Sequence, residues 1–519
     1  MTRDAGMALE AFARLLGDEH VVRDAASVTA ARQTTYATNR ALDAIVRPGT
    51  VEDVRACLRI ATEHGAAVFP ISRGRNWGYG SRVPPRDCVV ILDLGRLDRI
   101  VAHDEDLAYV TVEPGVTFAQ LVAYLREKKS RLFAAVTGGP PQSSVVGNVL
   151  ERGVGKGPYA DRFQFSCGYE VALPNGDLVH TGYGRYANAH ATPVARFGPG
   201  PILDGLFAQA NLGVVTKMTI WLTPIAAHAA TFFFAMKTQD RLGPVVDALR
   251  TLRLEGTLRS SSLIANDVRR MAFVRQYPWE EAGGVTPIPL AVREELRRGV
   301  AWSGDGSIYP PTIEHARADK ARIRGVLGPV VDALTWSDEP DPSSPIPPEV
   351  LAIVHGLATG QPVERTAATA YWRKRGPVPD DLDPDRDRCG FISFSPAIPF
   401  EGSHARRSIA LLDTCMVEYG FDPNLGLNCA SDRAIDLTPM LLFDRDVPGE
   451  DERAMACHDA MLERLAASGY YPYRLCTEAM DKLPAADDDT LRLMATLKRA
   501  IDPRDILAPG RYDFRSRWP

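Results

Sequence analysis

The sequence has little that would cross-link it, load it with metal or place it in a membrane. Only 8 of its 519 residues are cysteine. They form no Cys-x-x-Cys pair and show no metal-ligand spacing, so neither a disulfide framework nor a metal centre is expected. No run of about 20 apolar residues is present, which excludes a membrane-spanning helix. There is no basic run, and the net charge of -5 is mild, which argues against nucleic acid as a partner. The start, Met1-Thr2-Arg3-Asp4-Ala5-Gly6, leads into a short amphipathic stretch rather than a signal-peptide core. With thiols that read as reduced, these features predict a cytoplasmic protein. Internal repeats are also lacking.

What is present is ordinary in bulk, with 45% hydrophobic and 24% charged residues. At 519 residues the chain is too long for one hydrophobic core, so two domains are expected. Thr50 reads as the cap of a helix over 51–64, with Glu52 and Asp53 in its first turn and Gly65 at its end. Residues 67–71, 89–94 and 108–112 read as strands and 118–128 as a helix, an alternation that predicts α/β organisation in this region. Asn175-Gly176 predicts a two-residue hairpin turn. After Pro224 the pattern changes. A strand within 226–236, charged helices over 292–300 and 312–326, and Pro/Asp-rich linkers at 337–348 and 377–387 predict a second domain over 226–465. The first domain (1–225) is then completed by a C-terminal return over 466–519.

Glycine carries the chemistry. Pro70-Ile71-Ser72-Arg73-Gly74-Arg75-Asn76-Trp77-Gly78-Tyr79-Gly80 follows an apolar strand, where successive backbone N–H groups can receive a pyrophosphate. A second cluster, Ser143-Ser144-Val145-Val146-Gly147-Asn148-Val149-Leu150-Glu151-Arg152-Gly153-Val154-Gly155, lies downstream. Then come Gly200-Pro201-Ile202-Leu203-Asp204-Gly205-Leu206-Phe207 and Asn211-Leu212-Gly213-Val214-Val215-Thr216-Lys217. Near the end are Tyr473-Arg474 and Ile506-Leu507-Ala508-Pro509-Gly510-Arg511. In this order the segments closely resemble the vanillyl-alcohol oxidase / p-cresol methylhydroxylase family of FAD enzymes. The match is densest over 45–225 and 470–511.

The resemblance implies an α+β flavoprotein with a discontinuous FAD-binding domain and a cap domain built on an antiparallel sheet with helices. It places FAD against Ser72, Arg73, Gly74, Arg75 and Asn76. Further cofactor contacts are implied from Ser144, Gly147, Asn148, Glu151, Gly153, Gly213, Val215 and Arg511. Lys217 and Arg511 each read either as flavin contacts or as surface cations. Tyr79, Tyr473 and Arg474 match the residues that hold a phenolate oxygen and, for the arginine, stabilise charge near flavin N1. Holding a phenol of pKa about 10 as phenolate at pH 7 needs roughly 4 kcal/mol. Charge-assisted hydrogen bonds of about 1.5–3 kcal/mol each suffice for that.

Three positions depart from the family. The histidines that anchor FAD covalently in many members align with Asp436 and Leu437. Tyr371, before Trp372, is a second candidate anchor, although Ala370 occupies the aligned position. Non-covalent FAD is therefore expected. The aspartate that acts near the flavin in the oxidases aligns with Gly139. The family tyrosine after Arg-Gly-Val-Gly is Lys156, which could bind an acidic substrate group, replace a lost cation site or point to solvent. Glu151 and Arg152 match the family and read as an ion pair beside the flavin. The combination suggests a specialised member acting on a larger aromatic substrate.

The leading expectation is FAD-dependent oxidation of a para-substituted phenol. Its competitors are oxidation of a 2-hydroxy acid or other alcohol, a flavoprotein subunit passing electrons to a cytochrome, and a non-catalytic flavin-binding scaffold. Gly138 and Gly139 would leave room for oxygen, which tilts the expectation toward molecular oxygen over a redox protein as acceptor. The resemblance also raises a homodimer.

Overall fold

The computed structural model describes residues 3–483 and 489–512. The helix Val51–His64 forms as expected. The Thr50 hydroxyl accepts from the Asp53 N–H and the Asp53 carboxylate accepts in return from the Thr50 N–H, while Gly65 closes the helix with φ +62°. Its apolar side packs beneath a four-stranded sheet ordered Val21–Val22, Ala44–Val46, Val90–Asp93, Val68–Ile71. The parallel pairs among the named strands are here, between Val90–Asp93 and its two neighbours. The strand expected over 89–94 is shorter because Leu94–Arg96 winds into a 3-10 turn.

A second, five-stranded sheet is antiparallel, ordered Ile100–Asp104, Tyr109–Val112, Val214–Trp221, Ser166–Ala172, Leu178–His180. The helix Phe118–Glu127, capped by Thr117, packs on it. The hairpin at Asn175-Gly176 differs from the two-residue expectation. The Gly176 N–H donates to the Leu173 carbonyl and the Leu173 N–H to the Asp177 carbonyl. The loop is therefore three residues, with Gly176 in the left-handed position at φ +83°.

The largest sheet has eight strands, ordered Ala333–Trp336, Ala230–Met236, Trp302–Ile308, Ser262–Asn266, Gly426–Cys429, Ala434–Leu437, Ser395–Pro399 and Pro472–Arg474. All its pairings are antiparallel. Helices Leu242–Leu254, Ile313–Leu327, Gly402–Glu418 and Glu450–Ala467 cover one face. The helix expected over 292–300 is Leu290–Leu296 and stops short, as the chain reverses through left-handed Arg298 and Gly299. The helix Ile313–Leu327 starts one residue later than predicted because Thr312 is its cap.

The C-terminal segment returns to the first sheet. The Val68 N–H donates to Ile506 and the Ala508 N–H to the Val68 carbonyl. Lys498 fixes the return with donations to Asp502, Asn211 and Leu507 at 2.7–2.9 Å. Pro472–Arg474, in contrast, is the edge strand of the eight-stranded sheet.

Candidate active site

A groove of about 1150 Å³ runs along the first two sheets. Its floor is the first glycine turn. Gly74 has φ +63°, and among the described residues no N–H from Arg73 to Asn76 donates to another protein group. Four free N–H groups lining a groove make an anion cradle. The second glycine cluster supplies the facing wall through Ser144, Gly147, Asn148 and Glu151. Here Ser144 caps the helix Val145–Leu150, its hydroxyl accepting from the Gly147 N–H and donating to the Pro114 carbonyl. A Cβ at Gly147 would come within 3.0 Å of the Ser72 hydroxyl, so glycine is what lets the two clusters close on each other. Gly213 and Val215 add a third side.

Arg474 and Arg511 reach the groove from the C-terminal segment. Arg474 Nη2 donates to Asn76 Oδ1 at 2.5 Å, and its Cζ lies 4.0 Å from the Tyr79 ring centroid. Glu151 lies between the two arginines, with Oε2 3.8 Å from Arg474 Nε and Oε1 paired to Arg511. The Glu151–Arg152 pair expected from sequence does not form. Arg152 sits at φ +49° and lies over the Phe163 ring instead. Arg511 is thus a groove residue, whereas Lys217 pairs with Glu170 on the adjacent strand at 2.9 Å and does not line the groove. Gly153 does not line it either. It wraps the Asn148 side chain, which Arg162 grips at 2.5 Å while also donating to the Ala135 and Gly153 carbonyls.

The region read as a linker at 377–387 is docked rather than free. Asp385 accepts from Trp77 Nε1 at 3.1 Å and from the Ser81 hydroxyl at 2.8 Å, and Asp383 pairs with Arg75 at 3.1 Å. Burial pushes the Asp385 carboxyl up to about 7. Tyr371 belongs to the same segment's packing. Its hydroxyl donates to Asp387 and accepts from the Asp383 N–H, and it lies outside the groove.

Next to the groove lies the other face of the eight-stranded sheet, the chamber side, where the helix Pro348–Ala358 packs on Phe233 and the remaining strands turn toward the first domain. Ile264, Leu427, Ile435 and Leu437 are fully buried under the helices, while their alternates Leu263, Asn428 and Asp436 stay partly accessible. The register lines up Ala397, Asp436, Asn428, Leu263 and Asp305 across five strands. This face looks toward the glycine clusters: the Ser261 hydroxyl donates to the Gly155 carbonyl, and Asp305 pairs with Lys156. Lys156 is therefore neither solvent-facing nor free, the physical reason being a buried carboxylate opposite it.

At the end nearest the groove, the Tyr79 hydroxyl is 2.9 Å from the Ser395 hydroxyl and accepts from Ser393 at 3.3 Å. Tyr473 joins them; burial, with Asp436 and Tyr79 nearby, pushes its phenol well above the usual range. Asp436 is itself pushed up to about 7 by burial, with Asp161 adding to the rise. Gly138 is exposed and, like Gly139, does not line the groove.

The groove fits an extended dinucleotide: unpaired N–H groups for a pyrophosphate, glycines where side chains would intrude, and cations at one end. Residues 42–182 match the FAD binding domain family. The chain is 44% identical to 1'-carboxy-chondrochloren decarboxylase of Chondromyces crocatus, covering 100% of this chain and 99% of that protein. It is 30% identical to the 4-cresol dehydrogenase (hydroxylating) flavoprotein subunit of Pseudomonas putida, covering 97% and 94%. The structure of p-cresol methylhydroxylase with substrate bound superimposes with a TM-score of 0.91 at 29% identity, over 99% of this chain and 97% of that one. The two-domain architecture, the cradle and full-length similarity thus agree, and the chain belongs to the vanillyl-alcohol oxidase / p-cresol methylhydroxylase family of FAD-dependent oxidoreductases.

Proposed function

We propose that the protein oxidises a para-substituted phenol at its benzylic carbon. The observation that carries this reading is the convergence of Tyr79, Tyr473 and Arg474 where the groove meets the chamber. Bound FAD supplies the two-electron acceptor for the departing hydride. The chain's own residues prepare the substrate. Tyr473 keeps its proton at neutral pH and so remains a donor toward a phenolate oxygen. Tyr79 is oriented by Ser393 and Ser395, and Arg474 adds fixed positive charge at the boundary. Electron density then moves through the ring toward the para carbon, from which hydride leaves.

FAD is held by the cradle at 72–76, by Ser144, Gly147 and Asn148, and by Arg511. Non-covalent binding is the reading supported by the absence of histidine next to Asp436 in the sequence and by the engagement of the Tyr371 hydroxyl by Asp387. The acceptor that reoxidises it is oxygen or a redox protein. The second is supported by the designation of the P. putida relative as a flavoprotein subunit.

A decarboxylating variant of the same chemistry is favoured by the C. crocatus relative, whose name is that of a decarboxylase. Hydride loss from the benzylic carbon of a phenolate bearing –CH2–CHR–COO⁻ gives a quinone methide. The C–COO⁻ bond can then break. Its electron pair forms the side-chain double bond, the ring regains phenolate character, and carbon dioxide leaves. No protein base is needed at the reacting carbon.

Anaerobic addition of 4-alkylphenols and of 3-(4-hydroxyphenyl)propanoate to the FAD-loaded chain tests both readings. Bleaching of the flavin band is expected, with carbon dioxide released only from the acid. A band left unchanged by every phenol would overturn the phenol reading.

A further inference from the structure

The strand Ser262–Asn266 passes through the capping side chain of Asn266 into the helix Asp267–Val274. Arg269, in the first turn of that helix, folds back over the chamber face of the sheet. Its Nη1 donates to the Thr438 carbonyl at 2.6 Å. Its guanidinium lies against Gly426, where an added Cβ would sit 3.1 Å from both Cζ and Nε. Gly426 pairs with Ala265, and Thr438 is two residues beyond Asp436, so both belong to the chamber side. From there Arg269 lies within electrostatic reach of Tyr79.

This cation has no counter-ion. Among the described residues no carboxylate pairs with Arg269, and the one hydrogen bond from its guanidinium goes to a neutral carbonyl. Burial accordingly pulls its pKa down to about 10. Neighbouring charges do not compensate it. Lys156 and Asp305 neutralise each other, Glu151 lies between Arg474 and Arg511, and Asp436 is shifted toward its protonated form. A half-buried guanidinium without an anion is poorly compensated in the free protein and well suited to receive one from a ligand.

We propose that Arg269 binds a carboxylate on the side chain of the substrate, so that the preferred substrates are phenols bearing a para side chain that ends in an acid. The inference rests on the phenol reading above and narrows it. It holds whether the carboxylate is later lost or retained.

The test compares two ligands of equal side-chain length, 3-(4-hydroxyphenyl)propanoate and 4-propylphenol. Calorimetry on the anaerobically reduced, FAD-loaded chain measures binding without turnover. The wild type is expected to prefer the acid by about tenfold or more. Arg269→Met should lose roughly ten- to a hundredfold in affinity for the acid, with 4-propylphenol changed by less than about twofold. Arg269→Lys should recover part of the loss. A wild type without preference for the acid overturns the proposal even if the variants fail to fold. So does an Arg269→Met protein of full FAD content that binds the acid undiminished. If the wild type binds neither ligand, the phenol reading itself falls.

Discussion

The two faces of the eight-stranded sheet share a backbone but serve different ends. Under the helices, Phe234, Ile264, Leu427 and Ile435 are wholly buried, and stability comes from excluded water. On the other face the neighbouring positions present Asp436, Asn428 and Asp305, with Arg269 lying against Gly426 and Thr438 at one end. Such a face adds little to folding and contains charges that cost energy to bury. Residues one position apart along a strand are therefore under opposite demands, and a substitution's effect follows from its parity.

The largest effect should come from the apolar side. Phe234→Ala removes a buried ring stacked 6.4 Å from Phe232, which in turn packs on Trp336. It should destabilise the protein by about 3–5 kcal/mol, read from the denaturant midpoint, while phenol affinity of the folded fraction is unchanged. Loss of phenol affinity without loss of stability would break the division between faces. At the groove boundary the pattern should invert. Arg474→Met should lower kcat/KM by roughly 100- to 1000-fold, with only a small shift in unfolding midpoint.

The smallest effect is a pH dependence. Asp436 is pushed up to about 7 in the fold, against about 3.9 in an unfolded chain. Between these values the folded state holds a proton that the unfolded chain has released, so stability falls as pH rises. Asp436→Asn escapes this. Its advantage in thermal midpoint over the wild type should grow from about pH 4 to pH 7 and then level off. An advantage that is constant with pH would show that Asp436 is not buried as described.

The parts of the site legible in the sequence are those written in short consecutive stretches. The turn from Ser72 to Gly80, the Gly147–Glu151 cluster and the Tyr473-Arg474 pair need only local geometry to be recognised. What escaped depends on strand order and register. Lys217 meets Glu170 across two strands, Lys156 meets Asp305 across 149 residues, and Asp385 reaches Trp77 across 308. The aspartates of 377–387 had a linker's composition because Pro and Asp mark loops whether or not those loops dock. Arg162 and Arg269 carried no signal, since nothing local distinguishes a buried arginine from a surface one. Asp436 drew attention only as a missing histidine, and its chamber setting emerged from its pairing with Ala397 and Asn428.

The strand Pro472–Arg474 has two allegiances. Its main chain completes the chamber sheet, pairing beside Ser395, while the Arg474 side chain lines the cofactor groove. Repacking the chamber to admit a different substrate would shift that edge, and with it the guanidinium facing the cofactor. With Arg474 in the role proposed for it, substrate choice and oxidising strength would be mechanically geared to one another. A lineage exploring new substrates on this scaffold would retune its redox potential in the same step, and compensating changes are expected around residues 393–397 rather than in the groove.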